Sequence, residues 1–207
     1  MKYPVDEEPL ASWSLGEDTP RRYYVDDVAV SVATERVQYL GADGKLITES
    51  LKDYSRKTVL KNFASLDDFL TVWNNAERKQ VILEALAVQG VFLDELAEQV
   101  GRDYDAFALV CHVAYDRPPR TRKERAEEVK KRDVFAKHGE KARAVLDALL
   151  QKYADAGISS VDSLDILKVY PFRGIGTPHE IISIFGGEFE CLTALREIEN
   201  ELYRSAA

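Results

Sequence analysis

The residues able to do chemistry in this chain are few and badly spaced for it. There are two cysteines, Cys111 and Cys191, and three histidines, His112, His138 and His179. Cys111 and His112 are adjacent in a helical pattern, so their side chains point about 100° apart and cannot share a metal. No H-E-x-x-H, paired C-x-x-C or G-x-x-x-x-G-K-[ST] motif occurs. The acidic pairs Asp26-Asp27, Asp67-Asp68 and Glu127-Glu128 are neighbours in sequence, and adjacent carboxylates on a helix diverge rather than share a proton. His112 reads as a partly buried helix residue, His138 as part of a helix stop and His179 as a first-turn residue. No nucleophile with a base and an orienting group is expected, and no metal site.

Two segments could hold an anion instead. The first is Arg173-Gly174-Ile175-Gly176-Thr177, which runs into a helix start where backbone N–H groups are free. A plain chain reversal between helices is its other reading. The second is DRPPRTRKERAEEVKKR, residues 116–132, with eight basic and four acidic side chains in a chain of net charge −8. In its second half Glu127 precedes Lys131 by four residues and Glu128 precedes Arg132 by four, the favoured order for helix ion pairs. In its first half Arg117, Arg120, Arg122, Lys123 and Arg125 face only Asp116 and Glu124. Cations are unfavourable at a helix start, so this surplus points to a partner, and arginine suits phosphate or carboxylate. No aromatic residue interleaves with the charges, which argues against stacking on single-stranded bases.

The elements that must position these groups follow from periodicity. Residues 1–20 are rich in proline and acid, without a period, and read as a linker or boundary segment. Residues 21–49 read as a small β meander of three antiparallel strands. Val28, Val30 and Val32 alternate with small or polar residues, while Val37 and Tyr39 alternate on the opposite parity, which suggests a bulge between Ala33 and Arg36. Residues 50–207 carry helical periodicity. Ser65, Thr121 and Thr177 are N-caps, the last two with Glu three residues on, and Pro178 suits a first helical position. Gly90, Gly101 and Gly157 are stops, and His138-Gly139 breaks the helix begun at Thr121. The expected class is mainly α, a bundle of about seven or eight helices carrying the meander at its N-terminal end. Composition fits a soluble protein, 45% hydrophobic and 31% charged, with no run approaching eighteen apolar residues. Two buried thiols, no membrane partner and a cytoplasmic setting are the default expectations.

Three long segments, YYVDDVAVSVATERVQYLGADGKLITESLKDYSR, RTRKERAEEVKKRDVFAKHGEKARAVLDALLQKYAD and PFRGIGTPHEIISIFGG, occur in this order. Together they resemble the C-terminal region of the restriction (R) subunit of type I restriction-modification enzymes, of the EcoEI type, from about Arg21 to Tyr203. The resemblance implies a parent subunit that is an ATP-dependent DNA translocase and endonuclease, with ATP and Mg belonging to motor and nuclease domains ahead of this region. Their motifs are absent here: no phosphate-binding loop, no D-E-x-H-type box and no carboxylate–carboxylate–Lys cluster. The chain is therefore expected to use no cofactor of its own and to be a non-catalytic fragment of a site-specific deoxyribonuclease. The resemblance implies that it docks the motor onto the methyltransferase and specificity subunits. The alternative is direct contact with double-stranded DNA phosphates along the translocation path.

Overall fold

A computed structural model describes residues 21–25, 28–33, 35–161 and 163–204. Residues 1–20 and the Asp26-Asp27 pair, both singled out above, lie outside them. The described part is mainly α, with a small antiparallel sheet at its N-terminal end.

The sheet has four strands, β1 (Arg21–Val25), β2 (Val28–Ala33), β3 (Arg36–Leu40) and β4 (Leu46–Ser50), in the order β1-β2-β3-β4. The expected three strands become four because the parity change after Ala33 is a hairpin, not a bulge. Val32 pairs with Val37 and Ala33 with Arg36 across a two-residue turn. Antiparallel partners in that register always join an even to an odd residue, so one face carries Val30 and Val32 on β2 but Val37 and Tyr39 on β3. That face is apolar and turns inward, with Val30, Val32 and Val37 buried.

Ten α-helices follow among the described residues. α1 (Leu51–Asn62) is capped by Ser50, whose hydroxyl accepts from Asp53 N, and its first N–H reaches back to Glu35 O at 2.9 Å. Its buried stripe is Leu51, Ser55 and Val59, inside the stretch of helical period that begins at residue 50. α2 (Leu66–Asn75) begins with a Ser65/Asp68 capping box. α3 (Lys79–Val88) and α4 (Leu93–Val100) follow, the second ending at Gly101. α5 (Ala106–Tyr115) is buried at seven of its ten positions, as an all-round apolar helix must be.

α6 (Arg122–Lys131) starts with the Thr121/Glu124 box. It ends at Lys131, before His138-Gly139, with Asp133 at φ 48 turning the chain away. α7 (Glu140–Ala156) is the longest helix described, and two 3-10 turns lead to α8 (Phe172–Ile175), only one turn long. α9 (Pro178–Phe185) carries the expected Thr177/Glu180 box with Pro178 in its first turn, and α10 (Glu188–Tyr203) closes the described chain.

One core joins sheet and bundle. Tyr39 of β3 meets Tyr54 of α1 edge-on at 5.3 Å, and Tyr54 stacks on Phe92 at 6.0 Å. The centre is aromatic: Trp73 lies 4.9 Å from Phe107 and 5.2 Å from Tyr203, and Phe69 lies 5.6 Å from both Trp73 and Phe107. Edge-on and tilted contacts of this kind add about 0.5–1.5 kcal/mol per pair beyond area burial.

Candidate functional site

The arginine-rich loop is held at both ends. Asp116 adopts a left-handed conformation at the end of α5, and Arg117 N donates back to Cys111 O at 3.2 Å. His112 Nδ1 bonds the Arg117 carbonyl at 3.1 Å, and Arg56 of α1 grips Asp116 through two oxygens at 3.1 and 2.8 Å. At the far end Thr121 bridges to Tyr104, and Arg122 N donates to Asp103 O at 2.9 Å. The loop is thus a fixed strap over the end of α5.

The five cations of its first half go to different places. Arg125 is 4% exposed. Its guanidinium lies 5.2 Å from the Phe107 ring centre and 5.6 Å from that of Tyr203, and it donates to Leu202 O at 3.1 Å. Arg120 makes a bidentate pair with Glu128 at 2.9 and 2.7 Å. Arg122 runs over Gly157, reaches Tyr104 O at 3.4 Å, and lines a depression of about 290 Å3 with Asp105 and Ser159. Only Arg117 and Lys123 of the five are exposed, and neither side chain has a hydrogen bond or ion pair among the described residues. In the second half Arg132 turns to α10, pairing with Glu201 at 3.0 Å and its carbonyl at 2.6 Å.

Behind the strap lies a buried polar knot. Asp105 caps α5 by accepting from Ala108 N at 2.8 Å, and its other oxygen accepts from Tyr153 at 2.5 Å and Tyr203 at 3.0 Å. Burial, and then the Asp105 charge, push both phenols well above their ordinary range. Buried polar atoms satisfied in this way specify one packing arrangement of α5, α7 and α10.

The glycine loop is closed on itself. Arg173 Nε donates to Lys168 O at 2.5 Å, and the α9 N-terminus is filled by its own Glu180, which accepts from Thr177 N at 2.7 Å and from the Thr177 hydroxyl at 2.8 Å. Those two Thr177 bonds, backbone then hydroxyl, hold the Glu180 carboxyl below its usual value. Gly174 N donates to Pro171 O at 2.9 Å and Gly176 N to Phe172 O at 3.1 Å. Both cysteines are free and buried, as expected, with burial pushing Cys111 to about 12 and Cys191 to about 11. Among the described residues no group of three or more His, Cys, Asp or Glu could hold a metal, and no helix is long and apolar enough to cross a membrane.

One surface was missed by periodicity. α3 buries Ile82, Leu83 and Leu86 but exposes a second apolar stripe, Val81, Ala85 and Val88. Val81 is 57% and Val88 74% exposed, and Val72 on α2, 44% exposed, shares a depression with Val81. Val72, Ala76, Val81 and Ile82 line an open depression of about 580 Å3, with Glu77 and Arg78 on its rim. The legible signal was that α3 is apolar on two sides, which one buried face does not require.

Comparison with known proteins agrees with the resemblance. Residues 49–203 match the family described as EcoEI R protein C-terminal. The chain is 54% identical over 185 residues, 89% of its length, to the "Type I restriction enzyme EcoAI endonuclease subunit" of Escherichia coli. It spans 23% of that relative's length. No solved structure matches it. A helical domain with a strapped, internally bonded arginine loop, matched over three quarters of its length, belongs to the EcoEI R protein C-terminal family of type I restriction enzymes.

Proposed function

We propose that this domain docks the catalytic body of a type I restriction endonuclease subunit onto the methyltransferase and specificity subunits, and that the α2–α3 face is the docking surface. The carrying observation is the exposed stripe Val81, Ala85 and Val88, with Val72 next to Val81, on a domain of this family. Exposed apolar surface at regular helical spacing is what an amphipathic partner helix needs, with anchors three or four residues apart. The rim charges Glu77 and Arg78 would set register rather than affinity.

A second reading has its own observation. Arg117 and Lys123 stand exposed on a rigid strap without a partner among the described residues, a geometry suited to duplex DNA phosphates. The two readings use different residues and can hold together.

Co-purification of this chain with a methyltransferase–specificity complex tests the first reading. Wild-type chain should co-elute and should compete with the parent subunit, while Val81→Asp/Val88→Asp should do neither. If that double variant instead disrupts folding of the parent subunit and leaves complex binding intact, its own motor body covers the face and the docking assignment fails.

A further inference from the structure

We propose that the outer face of the β sheet is a second contact surface, and that it takes the sugar-phosphate backbone of duplex DNA. It shares no residue with the α2–α3 face or the arginine strap, so it stands or falls apart from both readings above.

The face is built by register. Arg22 pairs with Ser31, Ser31 with Gln38 and Gln38 with Thr48, giving one row of polar side chains straight across all four strands. Alternation puts these on the side opposite Val30, Val32 and Val37, and Arg22, Gln38 and Thr48 are exposed with Ser31 half-buried. Arg36 and Tyr24 lie on the same outward side, one step from the row, and both are exposed. The four strands contain a single acidic residue, Glu49. It is turned inward, where Tyr39 donates to it at 2.8 Å and Lys57 holds its other oxygen. The described outward positions thus carry two arginines and no carboxylate, on a chain whose net charge is −8.

This chemistry selects its ligand. Guanidinium, hydroxyl and amide groups offer donors at successive strand spacings, about 14 Å across the row, while the exposed Leu40–Leu46 pair makes the β3–β4 end of the same face apolar. Strand geometry separates the Arg22 and Arg36 Cα atoms by about 12 Å, so the two arginines can engage separate phosphates. The only aromatic side chain described on the face is Tyr24, 77% exposed; one ring is not the run of stacking platforms that single strands require. An acidic body does not forbid the contact, because charges farther than about 8–10 Å are screened at physiological salt.

The test is fluorescence anisotropy of the 207-residue chain with a labelled 30-bp duplex and the matching single strand, from 25 to 200 mM salt. Binding to the duplex should weaken tenfold or more across that range. Arg22→Ala/Arg36→Ala should weaken it at least fivefold at low salt and flatten the log–log salt slope by about two, the release from two phosphates. Both arginines are exposed and outside the core, and circular dichroism should show the fold unchanged. Arg117→Ala/Lys123→Ala is the comparison arm. Loss there with none in the sheet variant would overturn the sheet assignment while supporting the strap. No duplex binding at 25 mM salt, or tighter binding to the single strand, would also overturn it. The sheet variant should still co-elute with the methyltransferase complex, so a failed docking test would leave this result readable.

Discussion

The arginine strap and the α2–α3 face break the usual distribution of residues in opposite senses. At the strap, Arg125 is buried among Phe107, Tyr203 and the Leu202 carbonyl. At α3, Val81 and Val88 stand in water. A buried cation with rings and a carbonyl around it is consumed by the fold. An exposed valine stripe is consumed by nothing described here. The difference shows that surplus charge can be absorbed within the fold, as at Arg125, whereas exposed apolar surface is absorbed only by another surface.

The sharpest way to break the comparison is at the knot behind the strap. Asp105→Ala removes the shared acceptor of Tyr153, Tyr203 and Ala108 N, all three of them buried donors. Stability should fall by about 3–5 kcal/mol, measured by urea unfolding, and a loss under about 1 kcal/mol would mean the knot is not structural. Arg120→Ala should cost less than about 1 kcal/mol, because its pair with Glu128 is partly solvated. That loss should shrink in high salt, and a salt-independent loss would mean that Arg120 acts through packing.

The smallest effect concerns acid. Bonds from the Thr121 N–H and hydroxyl hold the Glu124 carboxyl below its usual 4.5. A depressed carboxyl stabilises the fold above its unfolded value, and the gain is lost as pH falls through the lower folded value. Glu124→Gln keeps a cap acceptor but cannot titrate, so its stability should decline less steeply below about pH 4.5. The difference should be a few tenths of a kcal/mol, since the group is largely solvated. An unchanged acid slope would remove Glu124 from the account.

How much of this was legible follows from the range of each interaction. The caps at Ser65, Thr121 and Thr177 close within three residues, so composition announced them. The mainly α class and the inward face of the sheet came from period. The hairpin after Ala33 looks like a bulge in sequence, since both reverse the parity of an alternating run. The fate of the arginines was hidden for a different reason: Arg125 bonds a carbonyl 77 residues away, and Arg132 a glutamate on α10. No local rule reports such partners. The family was readable from long ordered segments, while the contact faces depend on which side of α3 and of the sheet the bundle leaves uncovered.

The measurement that bears most directly on the docking claim is the affinity of this chain for an isolated methyltransferase–specificity complex, by calorimetry, for wild type and for Val81→Asp/Val88→Asp. Surface substitutions of this kind should change stability by no more than about 0.5 kcal/mol. The account predicts saturable binding by the wild type, at least tenfold weaker binding by the double variant, and an Arg117→Ala/Lys123→Ala variant within about twofold of wild type. Equal affinity for wild type and the valine variant would contradict it.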